Sequence, residues 1–264
     1  MIFLNNTLKM NRKDQIINSL LLLDEFFNSN NISYWLEAGT ALSAYRDGKV
    51  FSWDHDIDIG IWRNDVPSIE RIRSFFKSKG FEVIFQKNFP FLDNIIQLRT
   101  SSSNKNLFDV DIYLYSRKDN FAYMRWLQKP EGILGPFKQR LIFILRNLSN
   151  PKNKKWEGLS RLFPKKIIRI VFKFYLVIHI KTSKCIFHRF PENFFSDLRK
   201  INFYGLKINI PKQTEEFLSF RYGEDWAIPD SQYNQKAKWK SKSKARVLLE
   251  MSILPNPVFD YKNL

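Results

Sequence analysis

The chain carries one cysteine, Cys185, so neither an intrachain disulfide nor a cysteine-rich zinc site can form, which suits a reducing compartment. Glycine and proline are sparse, at 9 and 11 of 264 residues, which excludes a collagen-like repeat and a Pro/Gly-rich low-complexity chain. Nowhere do about eighteen apolar residues follow one another, as a membrane-spanning helix requires. The apolar run in the opening MIFLNNTLKMNRK is too short for a signal peptide, and a cytoplasmic location is expected. Internal repeats and recognisable nucleic-acid modules are missing too. Acidic residues are scarce: 26 Asp and Glu face 43 Lys and Arg, for a net charge of +17 and a pI near 9.8. Such a balance calls for a polyanionic neighbour, whether nucleic acid, an anionic bilayer face or a phosphorylated substrate.

What is present is the material of a folded domain. Apolar residues make up 44% of the chain and aromatics 16%, with 25 phenylalanines, enough for one large core or two small ones. Over residues 14–28, Ile16, Ile17, Leu20, Leu21, Leu23, Phe26 and Phe27 recur three or four apart, the stripe of a packed helix. Residues 33–37 read as a strand. Gly39 then allows a tight turn, and Thr40 is placed to cap a second helix running through Arg46. Asp56-Ile57-Asp58-Ile59-Gly60-Ile61 alternates, so as a strand it puts both aspartates on one face and the isoleucines on the other. A helix over 67–79 stopped at Gly80, strands over 81–86 and 94–100, and an alternating strand over 107–115 follow. The last of these sets Asp109 and Asp111 on a common face. The expected fold is α/β, a mixed β-sheet flanked by helices.

The basicity is regional. Across 129–189, fifteen Lys and Arg face only Glu131 and Glu157, so thirteen of the chain's net positive charges lie there. Within this stretch Lys165, Lys166, Arg169 and Lys173 fall at helical spacing among Ile167, Ile168, Ile170, Val171, Phe172 and Phe174. This describes a basic amphipathic helix, either lying in an anionic bilayer interface or turning a solvated face outward. Past Pro191 the composition is mixed again, with a strand over 206–210, a helix over 213–220 and a turn over 221–226. A second basic run over 236–246 places lysines at alternate positions, to touch phosphates or solvent. The expected organisation is a catalytic core at 12–128, a basic and possibly membrane-apposed helical insertion at 129–190, and a C-terminal segment at 191–264 completing the core domain.

The densest acidic cluster is Trp53-Asp54-His55-Asp56-Ile57-Asp58. Two carboxylates at i and i+2 of a strand repel unless a cation sits between them, and hard oxygen ligands favour Mg²⁺ or Mn²⁺. A third carboxylate from a neighbouring strand, Asp109 or Asp111, would complete such a site. Gly39-Thr40 at a helix N-terminus offers amides and a positive dipole end to a phosphate. Together these are the parts for metal-assisted phosphoryl transfer. Arg46 is placed to clamp a phosphate, or else to pair with Asp47 or Asp54. His55 alternates onto the wrong face for metal binding.

The run from Tyr34 through Glu37-Ala38-Gly39-Thr40, Arg46 and Trp53-Asp54-His55-Asp56-Ile57-Asp58, the later Val110-Asp111-Ile112, and Tyr222-Gly223-Glu224-Asp225-Trp226-Ala227-Ile228-Pro229 stand in one order. That order resembles the signature of the LicD/fukutin family of the nucleotidyltransferase superfamily. Three positions depart from the family pattern: Ala38 before Gly39, Ser43 at the usual second glycine, and Ser52 at the proline before Trp53. None removes a carboxylate. The resemblance implies a nucleotidyltransferase-like fold with Asp56, Asp58 and Asp111 as metal ligands, Asp109 being the rival for third place. It implies that Gly39 and Thr40 cradle a phosphate, that Asp54 orients the pocket or serves as general base, and that Tyr222 and Trp226 stack on a base or sugar or pack in the core.

The activity implied is metal-dependent transfer of a phosphorylated alcohol, such as phosphocholine or a polyol phosphate, from a CDP-activated donor to a hydroxyl of a glycan or lipid-linked saccharide of the kind found in lipopolysaccharide or capsule. Such acceptors are assembled at the inner face of the membrane, which would account for the basic stretch as a peripheral contact. Nucleotidyl transfer by the same fold and nucleic-acid binding by the basic region are the competing readings.

Overall fold

The structure, a computed structural model, describes residues 10–85, 95–101, 106–126, 134–149, 151, 154–182, 184–229, 243–250 and 253–254. Helix α1 (Arg12–Ser29) is capped by Asn11, whose side chain accepts from the Asp14 amide at 2.9 Å. It buries Ile16, Leu20, Leu23, Phe26 and Phe27; Leu21, counted in the stripe from sequence, is nearly half exposed because it lies off that face. β1 (Tyr34–Leu36), α2 (Ala38–Arg46) and β2 (Asp56–Trp62) follow. α3 (Ile69–Ser78) begins two residues later than the 67–79 expectation, because the Ser68 side chain caps it by accepting from the Arg71 amide, and Gly80 ends it at φ 99°. β3 (Phe81–Phe85) and β4 (Ile95–Thr100) match the expected pair; Gln86 and Asn94 lie outside the described residues.

β5 (Asp109–Lys118) starts later and runs further than 107–115. Before it, Phe108 satisfies its backbone on Ser19, whose hydroxyl accepts from the Phe108 amide and donates to its carbonyl, both at 2.8 Å. Asp119 and Asn120, both at positive φ, then close a two-residue hairpin to β6 (Phe121–Trp126). The basic stretch supplies α4 (Gly135–Ser149), α5 (Lys154–Ser160), α6 (Lys165–Thr182) and β7 (Lys184–Pro191). α7 (Asn193–Ser196), β8 (Leu198–Phe203), β9 (Leu206–Pro211), α8 (Thr214–Tyr222) and β10 (Arg246–Glu250) follow among the described residues. The turn expected at 221–226 begins only at Gly223, since Arg221 and Tyr222 continue α8 and the glycine takes the positive φ that stops it. Of the basic run 236–246, residues 236–242 lie outside the described residues, while Lys244 pairs with Glu224 at 3.2 Å.

The fold is mixed α/β. Its eight-stranded sheet runs β1-β2-β5-β6-β7-β10, with β4 beside β5 and β3 beyond it. Among the described residues only β2 and β5 pair in parallel, in a register that sets Asp56 opposite Asp109 and Asp58 opposite Asp111. β8 and β9 form a separate hairpin tied to β1 by Asn209, which donates to the Tyr34 carbonyl at 3.0 Å. The main core gathers on Trp35, which stacks on Phe195 at 4.6 Å and meets Trp62 and Tyr115. A second core joins Tyr123, Cys185 and Phe187 of β6 and β7 to Ile142 of α4 and Phe172, Leu176 and Ile180 of α6.

Gly60 lies opposite Trp35 in the ladder, and a Cβ there would overlap the indole. Gly60→Ala is therefore expected to destabilise the chain by about 1–3 kcal/mol in urea unfolding, the usual range for overpacking a filled core. An unchanged midpoint would show that Trp35 has room to move.

Candidate active site

The site forms where β1 turns into α2 and the parallel pair β2/β5 presents its acidic face. Asp58 is held by its backbone on both sides: its amide donates to Thr40 Oγ1 at 2.8 Å, and its carbonyl accepts from the Glu37 amide at 3.0 Å. Thr40 is fully buried and belongs to the first turn of α2, so it does not cap the helix as expected. The capping position is Glu37, whose side chain makes no cap hydrogen bond. The strained backbone of the turn also falls elsewhere than expected, on Ala38 at φ 47°. Gly39 lets a carboxylate pack close above it: a Cβ there would stand 3.0 Å from Asp54 Oδ2, a tight approach, and 3.9 Å from Asp58 Oδ2, an ordinary contact. Its amide and that of Thr40 belong to the first helical turn, whose N–H groups have no intrahelical acceptor.

One carboxylate oxygen from each of Asp56, Asp58 and Asp111 lies within 4.8 Å of the other two. Asp109 shares the strand face with Asp111 but is drawn aside, accepting from the Thr100 amide at 2.8 Å and standing 3.7 Å from Arg99 Nε. Arg99 also meets Asp111 at 2.5 Å, and Gln97 donates to the same carboxylate at 3.3 Å. Asp54 approaches from the loop before β2. That loop is clamped by Arg12, which donates to the carbonyls of Phe51 at 2.8 Å and Asp54 at 2.6 Å.

Burial drives the electrostatics. It pushes Asp56 up to about 6, with repulsion from Asp111 and Asp54 adding to the rise. Asp58 is raised further for the same reasons, first burial and then Asp56 and Asp111, against a partial opposing pull from Arg221. Burial also raises Asp111, although Arg99 and Gln97 pull it back, and raises Asp54 against His55 and Arg12. Three converging carboxylates that resist ionisation together are the donor set for a hard divalent cation, which would relieve their repulsion.

A group raised above its ordinary carboxylate value holds its proton longer in the folded chain than in the unfolded one. Its contribution to stability is therefore present at acid pH and lost as pH rises through the folded value, near 6 for Asp56. In thermal melts, Mg²⁺ or Mn²⁺ should raise the midpoint at pH 7.5 and have much less effect at pH 5, where protons compete for the ligands. Equal shifts at both pH values, or none, would count against metal binding here.

The remaining candidates are placed as follows. Arg46 pairs with Asp47 at 2.7 Å and lies over the Phe51 ring. His55 is exposed. Tyr222 is half-buried against the main core beside Arg221, and Trp226 packs there too, 5.9 Å from Tyr45. Sequence reasoning passed over Arg12, Gln97, Arg99 and the buried Glu37, and it gave no role to Trp53, which is 55% exposed and stacked on Phe51 beside Asp54. Trp53 had a local signal, a tryptophan flanking the acidic cluster. Arg99 and Gln97 had only their alternation on a strand whose partner was not known.

With this geometry in hand, the chain can be compared with known proteins. Residues 31–153 match the family model described as LicD/FKTN/FKRP, nucleotidyltransferase domain. That stretch holds β1, α2, β2 and β5 with every member of the acidic triad, so the resemblance read from the motifs is borne out there. Ribitol 5-phosphate transferase FKRP of Mus musculus, and likewise that of Homo sapiens, is 29% identical over 117 residues, 42% of this chain and 23% of that protein. An uncharacterized protein of Rickettsia prowazekii, RP689, is 35% identical over 99 residues, covering 38% of this chain and 33% of its own length. The chain thus matches between about a quarter and a third of these relatives. Among solved structures, the lincosamide antibiotic adenylyltransferase LnuA bound to lincomycin aligns over 76% of this chain and 83% of that one, at 12% identity and a TM-score of 0.37. ANT(2″)-Ia with adenylyl-2″-tobramycin aligns over 62% and 96%, at 11% identity and a TM-score of 0.28.

Proposed function

We propose that this chain transfers a phosphorylated alcohol, phosphocholine or a polyol phosphate, from a CDP-activated donor to a hydroxyl of a glycan or lipid-linked saccharide. The observation that carries this reading is the convergence of Asp56, Asp58 and Asp111 beside the Gly39 helix start, inside the stretch that matches the LicD/FKTN/FKRP domain. The catalytic core is taken as residues 12–128, with 191–264 completing it.

Asp56, Asp58 and Asp111 would hold Mg²⁺ or Mn²⁺, which when bound neutralises the donor diphosphate and polarises the transferred phosphorus. The α2 N-terminus, where the first-turn amides and the helix dipole favour negative charge, would receive a phosphate oxygen. The acceptor oxygen attacks the distal phosphorus, its bond to the bridging oxygen breaks, and the bridging oxygen leaves with CMP. Asp54, raised by burial and beside Gly39, takes the acceptor proton. Trp53 offers an exposed face for a base or head group to stack upon. Arg46 reaches a phosphate by exchanging Asp47 for it.

The test is to incubate the purified chain with a panel of CDP-alcohols, acceptor extract and Mg²⁺ or Mn²⁺, and to measure CMP release. Metal-dependent CMP release with the phospho-alcohol on the acceptor supports the reading. A product carrying a nucleotide would reassign the site to nucleotidyl transfer, and CDP-alcohols left intact across the panel would remove the proposal.

A further inference from the structure

α6 is apolar on two opposite faces. Ile168, Phe172, Leu176, His179 and Ile180 are buried and face inward, with Phe172, Leu176 and Ile180 packing in the second core. At 100° per residue, Ile167, Ile170, Val171, Phe174, Val177 and Ile178 fall on the side diametrically across the helix, and all six are exposed, Phe174 by 69% and Ile170 by 56%. Leu162 and Phe163, exposed in the turn from α5, extend this surface at its N-terminal end. Lys166, Arg169 and Lys173, at i, i+3 and i+7, line one flank between the two apolar faces. An ordinary surface helix keeps polar residues opposite its buried stripe, so an outward apolar face of this size calls for a cover.

We infer that the outward face of α6 docks flat on an anionic lipid bilayer, its isoleucines and Phe174 entering the interface and Lys166, Arg169 and Lys173 meeting lipid phosphates. Charge complementarity selects the occupant. Residues 158–191 hold eight Lys and Arg and no Asp or Glu, so a second copy docked through the same face would bring cations against cations. Anionic headgroups answer the same charge favourably. Among the described residues no helix is long and apolar enough to cross a membrane, so α6 lies on the surface. Acid-free charge beside an apolar stripe is the pattern of an interfacial helix, and here the rest of the fold shows which side of that helix is outward. The inference stands independently of what the acidic site transfers.

The experiment is co-sedimentation of the purified full chain with vesicles of phosphatidylcholine alone or of equimolar phosphatidylcholine and phosphatidylglycerol. The chain should bind the anionic vesicles, and binding should fall as salt is raised. Lys166→Glu with Lys173→Glu should weaken binding to anionic vesicles on the order of tenfold or more. Ile170→Ser with Phe174→Ser, both at exposed positions, should weaken it by about as much through lost apolar insertion. The charge pair and the apolar pair are independent, so a folding defect in one, seen by circular dichroism, leaves the other to decide. Failure to bind either vesicle, or binding indifferent to both pairs of substitutions, would overturn the inference. So would a dimer in light scattering that Phe174→Ser turns into monomer.

Discussion

Asp58→Asn is expected to reduce CMP release on the order of 10³-fold or more, while leaving the metal-free chain at least as stable as the wild type at pH 8. The two halves of this result come from different parts of the residue. The carboxylate is buried among Asp56, Asp111 and Asp54, all of which oppose its ionisation, so replacing it with a neutral amide of the same shape removes repulsion. What Asp58 contributes to the fold is its backbone, bonded to Thr40 and Glu37, and the substitution leaves those bonds in place. Activity assays and thermal melts on one preparation check both. Lost activity with stability maintained at pH 8 identifies the carboxylate as functional, whereas parallel loss of both would make it structural. The metal-dependent rise in the melting midpoint should shrink in the variant, since one of three ligands is gone.

Arg221→Met is expected to cost about 3–5 kcal/mol, the largest stability effect of any single change proposed for this chain. Glu37 is fully buried, and its carboxylate accepts from Arg221, from the Tyr115 hydroxyl at 2.9 Å and from Trp35 Nε1 at 3.2 Å. Without the guanidinium, a buried carboxylate loses its only cation in this set. The double variant Glu37→Gln with Arg221→Met should recover a large part of the loss, because it removes the stranded charge along with its partner. Urea unfolding of the wild type, the single variants and the double variant measures this directly. A double variant no more stable than Arg221→Met alone would show that Arg221 acts through packing on Phe190 and Tyr222.

The sequence made the local part of this site readable. Alternation over 56–61 and 107–115 placed four aspartates on strand faces, because a strand's period of two is fixed by backbone geometry. The same period cannot separate Asp109 from Asp111, which share a face. What separates them is the Thr100 amide on β4, which holds Asp109, and that contact depends on a register between distant segments. Glu37 and Arg221 stand 184 positions apart, so their ion pair had no local signal at all. The turn before α2 was misassigned for a related reason. A glycine in sequence points to itself as the residue allowing the bend, whereas the bend falls on Ala38 and Gly39 lets the carboxylate of Asp54 pack close above it. For α6 the charges and apolar residues were visible, but only the packing of Phe172 and Leu176 tells which of its two greasy sides is the outer one.

The stitching of α2 onto β2 through the main chain of Asp58 has a bearing on selectivity. On the proposed reading one residue would supply both an ion ligand and the anchor for the bend that receives a phosphate, so the gap between cation and phosphate would behave as a fixed gauge. Discrimination among donors would then rest with the loop that bears Trp53, held to α1 by Arg12, and that loop is where a change of head group would be engineered.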